Sequence, residues 1–139
     1  MLGDALANVI YSPASNSWGF ENRNVALRIP DGRSQTRHFE HRIAGVDANP
    51  YLVAAITLGT ALDGIAAQTD PGPQSVNTDL APLPQTWDQA ITAFAASDKM
   101  RRLLGNDFHA GFSAIKQAEY NQLAQTVTDV EWELYGLTV

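Results

Sequence analysis

The sequence contains no cysteine, so neither a disulfide framework nor a thiolate metal site can form, and a reducing compartment is compatible with it. The cytoplasm is therefore the expected location. Positive charge is scarce: nine Lys and Arg stand against fifteen Asp and Glu, for a formal charge of −6. That balance argues against sequence-independent binding to nucleic acid or to an anionic membrane, both of which want a basic surface. No long uninterrupted apolar run is present either. The most apolar stretch, Tyr51 to Ala67, is broken by Thr57, Gly59, Thr60 and Asp63, which suits a buried helix better than a membrane span. The opening residues lack a basic region followed by an apolar one, so no signal peptide is expected. Also missing are the Gly-rich phosphate loops of the P-loop and dinucleotide types, a nucleophile elbow and a paired-histidine zinc motif. Ser12, Ser15 and Ser17 lie near turns with no sequence cue for a neighbouring base.

What is present suits one globular unit over 1–139, since 139 residues with 45% apolar content can bury one core. The expected class is α+β and helix-rich. Residues 1–47 carry strand and turn signals, with alternation in Asn24–Ile29 and again in His38–Ile43. An antiparallel pair joined through Pro30-Asp31-Gly32 is the expectation. Asn49-Pro50 then reads as an N-cap followed by proline at the first helical position. The helix it opens, within 48–68, is apolar nearly all round and is expected to be buried on most sides. Residues 69–84, with four prolines and a glycine, read as a surface loop. Helices are expected over 85–139. Thr86 and Gln89 have capping-box spacing ahead of a face formed by Trp87, Ile91 and Phe94, and a short turn from Asp98 stops at Gly105. From Asp107, apolar residues from Phe108 to Leu134 recur at helical spacing and predict one long amphipathic helix.

The positive charge is concentrated. Arg23, Arg28, Arg33, Arg37 and Arg42 are five of the nine basic residues, and all are arginine. Guanidinium groups present fixed donor forks that match phosphate and carboxylate bidentately, which points to oxyanion recognition. The plainer alternative is a solvated face on which these arginines pair with Glu21, Asp31 or Glu40. Period-two geometry puts His38, Glu40 and Arg42 on one side of their strand and Phe39, His41 and Ile43 on the other. A carboxylate and a guanidinium two residues apart can hold a hard cation beside an anionic substrate, or form a simple salt bridge. His109 carries no functional signal, and Met100 and the Trp87/Phe94 face read as core.

Several motifs in order are similar to the C-terminal part of the glutamine synthetase family's catalytic domain, from about residue 13 to the end. They are Trp18-Gly19-Phe20-Glu21-Asn22-Arg23, Ala26-Leu27-Arg28-Ile29-Pro30, Glu40-His41-Arg42, and Asp47-Ala48-Asn49-Pro50-Tyr51 with Leu62-Asp63-Gly64-Ile65. Val127-Thr128-Asp129 and the Trp/Glu/Tyr-containing tail follow. The resemblance implies a ligase that activates the γ-carboxylate of glutamate with the γ-phosphoryl group of ATP, after which ammonia or an organic amine displaces phosphate. It implies Mg²⁺ or Mn²⁺, and a homo-oligomer with active sites between subunits. By position, Glu40 matches a metal-coordinating carboxylate, and Arg42 matches the arginine that contacts the glutamate carboxylate and the transferring phosphoryl group. Arg23 and Arg28 match arginines that contact nucleotide phosphates and stabilise charge developing during transfer. Phosphoryl transfer is mostly positioning and neutralisation of spread oxyanion charge, which suits such a set.

The departures also carry information. His38 stands where the family often has a nucleotide-contacting arginine, a role neighbouring Arg37 could take. Ile43-Ala44-Gly45 replaces the Phe-Pro-Asp typical of ammonia-using enzymes, as in the branch that joins glutamate to polyamines or other amines. Residues 1–17 hold no basic residue where the family places a substrate-binding arginine. The strands that supply most metal ligands in the family have no counterpart in these 139 residues. The alternative class is therefore a noncatalytic helical scaffold or assembly module.

Overall fold

A computed structural model of the chain describes residues 13–74 and 80–136. Two compact units result, the first running to Leu83 and the second beginning at Pro84. The sequence expectations for residues 1–12, 75–79 and 137–139 lie outside the described residues.

The first unit is built on a three-stranded sheet in the order β1-β2-β3, with β1 at Trp18–Phe20, β2 at Leu27–Ile29 and β3 at Glu40–His41. The expected antiparallel pair is β2 with β3, in a register that sets Leu27 opposite His41 and Arg28 opposite Glu40. The alternation in the sequence extended further than the pairing does. Asn24 turns instead, its N–H donating to Asn22 Oδ1 at 2.8 Å. β1 adds in parallel, with Gly19 opposite Arg28. The link between β1 and β2 dips inward, so that Val25 and Ala26 are buried. Buried Ser17 is satisfied beneath it, since its Oγ accepts from Ala26 N at 3.1 Å and donates to Ser15 O at 3.2 Å. The Pro-rich loop is fastened back onto the sheet: Trp18 Nε1 donates to the carbonyls of Pro71 and Gly72, and Phe20 N donates to Gln74 Oε1.

Helix α1 spans Pro50–Ala66, capped as expected by Asn49, whose side chain accepts from Tyr51 N and Leu52 N. Its expected burial is corrected. None of its residues is buried, and Tyr51, Leu58, Leu62 and Ile65 lie largely in solvent. A helix that is apolar all round needs cover on several sides, and the small sheet gives it one. Ile56, Thr57, Thr60 and Ala61 share a cavity of about 360 Å³ with Leu27, Phe39, His41 and Ile43.

The second unit packs α2 (Trp87–Ala95) and α3 (Asp98–Leu104) on α4 (Asn106–Ala124), and α5 (Asp129–Tyr135) follows. Thr86 is the N-cap of α2, but the capping box does not close: Thr86 makes no side-chain cap bond, and Gln89 Oε1 accepts from Gln85 N, one residue early. The segment from Asp98 is a helix rather than a turn, capped by Ser97 and ended by Gly105 at φ 83°. The single long C-terminal helix is also corrected, because it breaks between Ala124 and Asp129. Thr128 opens α5 with a closed capping box to Glu131, and its hydroxyl competes with continuation of the helix. The core here is small. Ile91 and His109 are buried; His109 Nε2 lies 2.8 Å from Phe94 O, and its ring stacks on Phe94 at 4.9 Å. Phe94 also meets Phe112 edge-on, and Trp87 meets Tyr120. Such pairs are each worth about 0.5–1.5 kcal/mol beyond area burial. Among the described residues no helix is long and apolar enough to cross a membrane.

Candidate functional site

The polar face of the sheet gathers four charged side chains into one chain of ion pairs. Register alone brings Arg28 and Glu40 together, because they are paired across β2 and β3. Arg28 Nη1 donates to Glu40 Oε1 at 2.7 Å, and its Nη2 donates to Glu21 Oε2 at 3.1 Å. Glu21 follows β1 directly, so the parallel addition of that strand delivers the second carboxylate. Arg42, two residues beyond Glu40 on the same face, reaches Glu40 Oε2 with Nη1 at the longer distance of 3.5 Å. Its Nε donates to the carbonyl of Arg23 at 3.1 Å, tying the β1–β2 link to β3.

The electrostatics follow from this geometry. The Arg28 hydrogen bond holds the Glu40 carboxyl below its ordinary value against a smaller opposing effect of burial, and the charges of Arg28 and Arg42 add to the lowering. Glu21 is lowered first by the Asp31 backbone N–H and then by Arg28. Arg28 is raised, chiefly by Glu40. The Arg28 side chain is 13% exposed, and its Nε is buried with no protein partner. A buried unpartnered guanidinium N–H is costly to leave unmade, which suits a site able to take an additional acceptor oxygen.

Of the residues singled out from sequence, Arg28, Glu40 and Arg42 form this cluster, and Arg23 joins it through its carbonyl. Arg23 and Arg37 have exposed side chains, and Arg37 lies between β2 and β3 outside the ion-pair chain. His38 is exposed, its Nδ1 2.9 Å from Thr36 O. Sequence reasoning treated Glu21 only as a possible surface partner. Its place beside Asn22-Arg23 in the first motif was the available signal. For a cation, Glu40 offers one partly exposed carboxylate with a weakly held Oε2. Among the described residues no group of three His, Asp or Glu could hold a metal ion.

A sequence profile described as glutamine synthetase, catalytic domain, matches residues 6–135. The chain is 37% identical over 131 residues to the gamma-glutamylputrescine synthetase PuuA of Escherichia coli (strain K12), covering 90% of this chain and 28% of that protein. It is 32% identical to a glutamate–isopropylamine ligase of a Pseudomonas species, covering 92% and 29% of the two chains. It is 29% identical to a glutamine synthetase of Rhizobium meliloti (strain 1021), covering 92% and 30%. A solved structure titled "Apo GmaS without ligand" superposes with a TM-score of 0.76 at 31% identity, over 89% of this chain and 30% of that one. The chain thus spans under a third of the length of these relatives.

Proposed function

The chain belongs to the glutamine synthetase family, and from that premise we propose that its ion-pair cluster serves an ATP-dependent ligation of glutamate to an amine. The observation that carries this reading is the Glu21–Arg28–Glu40–Arg42 chain, with a buried, unpartnered Arg28 Nε, assembled from the motifs that the family match covers. In the proposed reaction a glutamate γ-carboxylate oxygen attacks the γ-phosphorus of ATP, ADP leaves, and the neutral amine nitrogen then attacks the acyl carbon, expels phosphate and gives up a proton to solvent. Arg42 binds the glutamate carboxylate and the transferring phosphoryl oxygens. Arg23, Arg28 and Arg37 hold nucleotide phosphates, and these guanidinium groups neutralise charge as it spreads over the phosphoryl oxygens. Mg²⁺ or Mn²⁺, when bound, would supply neutralisation of the phosphate charge.

Glu40 would be one ligand of that ion. One carboxylate cannot by itself hold such an ion, so the 139-residue chain alone is proposed to be inactive and to require metal ligands from beyond these residues, as the family resemblance implies. Homo-oligomerisation is part of the same reading, supported by the uncovered apolar residues of α1. The amine is proposed to be organic rather than ammonia. Ile43-Ala44-Gly45 is small and uncharged there, and two of the similar proteins are named for putrescine and isopropylamine.

The test replaces the matched segment of the putrescine enzyme with residues 13–136 and follows glutamate-dependent phosphate release with ammonium, putrescine or a monoamine. Amine-dependent turnover, with a higher kcat/KM for an organic amine than for ammonium, is expected. A folded chimera that binds no ATP overturns the ligase reading, and an ammonium preference overturns the amine assignment. Turnover by the 139-residue chain above a Glu40→Gln control overturns its incompleteness.

A further inference from the structure

Glu21 has a backbone and a set of bonds that a surface ion pair does not need. Its φ of 49° lies in the left-handed region, sparsely populated for a residue with a Cβ. Such a conformation persists where the surroundings over-determine it, and here three bonds do so. Glu21 N donates to Ile29 O at 3.1 Å, Oε1 accepts from the backbone N–H of Asp31, and Oε2 accepts from Arg28 Nη2 at 3.1 Å. One carboxylate oxygen is thus spent on the main chain. The orientation of the other is set by the backbone of the β2 turn rather than by the arginine it meets.

We propose that Glu21 is the positioning residue for Arg28, holding the guanidinium spread between two carboxylates so that it does not close onto Glu40. The role presupposes the reading of Arg28 as an oxyanion contact. Arg28 is a long side chain with much rotamer freedom to lose, and its Nε makes no bond to the protein, so its two Nη ends alone fix it. Release of the Glu21 end leaves Nη2 free to turn towards Glu40 Oε2, which Arg42 Nη1 meets at the long distance of 3.5 Å. A bidentate fork through both Nη groups is a favoured arginine–carboxylate geometry. Loss of Glu21 would then commit both Nη ends to Glu40, rotating Nε out of its present orientation, and would occupy the carboxylate oxygen open to a cation. A purely electrostatic role predicts the opposite sign, because deleting a carboxylate beside Arg28 strengthens attraction for anions.

The experiment uses the 139-residue chain and four proteins: wild type, Glu21→Gln, Glu21→Asp and Glu21→Gly. Glycine removes the carboxylate while accepting the positive φ without strain. Aspartate keeps the charge but is one methylene too short to span both partners. Nuclear magnetic resonance follows the Arg28 Nε–Hε signal, and inorganic tripolyphosphate is titrated as the anion. Expected are a distinct, exchange-protected Nε–Hε signal in wild type and its loss in all three variants, Glu21→Gln included because its amide keeps one acceptor oxygen for the two donors Asp31 N and Arg28 Nη2. Tripolyphosphate binding should weaken in Glu21→Gly on the order of tenfold, the factor one charge-assisted hydrogen bond is worth. Should Glu21→Gly misfold by its amide spectrum, Glu21→Asp decides. An unprotected signal in wild type, a protected signal in the three variants, or tighter anion binding in Glu21→Gly overturns the proposal. A signal that collapses as expected in a chain that never responds to tripolyphosphate upholds the positioning role and overturns the oxyanion reading of Arg28 instead.

Discussion

Two substitutions that remove similar branched aliphatic side chains should differ several-fold in their effect, because one side chain is buried and the other is not. Ile91 is 6% exposed between α2 and α4, whereas Leu62 on α1 is 66% exposed. Ile91→Ala deletes about three carbon groups at roughly 0.8 kcal/mol each, or about 2.4 kcal/mol before any cavity penalty. That penalty should be small. Ile91 already borders a cavity of about 180 Å³ with Trp87, Phe94 and Phe112 into which neighbours can relax, so the total falls near the lower end of the roughly 2–5 kcal/mol range. Leu62→Ala removes a side chain already in water and should stay within about 0.5 kcal/mol. Urea denaturation followed by helical circular dichroism measures both, at protein concentrations low enough that the midpoint is concentration-independent. Equal losses would refute the assignment of Ile91 as core. In a second series at higher protein concentrations, a Leu62→Ala loss that grows with concentration would show that α1 is covered by self-association.

In the chimera proposed above, Glu40→Gln keeps the side-chain shape but loses the anionic oxygen a hard cation prefers. Manganese affinity should fall by no less than the roughly 10–100-fold typical for loss of an outer-shell partner, with the circular dichroism spectrum retained; unchanged affinity removes Glu40 from the metal site. Glu21 and Glu40 are both held below their ordinary value of 4.5. Their stabilisation is therefore complete above that value and is lost as pH falls through the lowered ones, and carbon-detected titration of the two carboxyls should give midpoints below 4.5, a midpoint at or above it refuting the pairing. Thr128→Ala removes the cap of α5 and should cost about 1 kcal/mol. It should reduce helicity at Asp129–Tyr135 in amide chemical shifts while leaving α4 unchanged, and loss of α4 helicity would contradict a break between the two helices.

Local signals were enough to read part of this protein from its residues. Asn49-Pro50 announced α1 because an N-cap and a proline at the first helical position are decided by neighbours in sequence. Alternation put Glu40 and Arg42 on one face and Phe39, His41 and Ile43 on the other, as period-two geometry requires. The ordered motifs identified the family. The break after α4 was also written locally, as Thr128 three residues before Glu131, although the apolar recurrence runs straight across it.

What depended on contacts distant in sequence was not legible. The parallel addition of β1 hangs on the burial of Val25 and Ala26 and on main-chain pairing with β2 rather than on residue pattern, and it carries Glu21 to Arg28. Composition describes α1 as apolar but does not say whether anything lies against it. Residue pattern determines which faces want cover and which groups want partners, because those preferences belong to single side chains and their near neighbours. Whether cover and partners are supplied is a property of the assembled surfaces, and here only the tertiary structure decided that the arginines meet two carboxylates while most of α1 meets water.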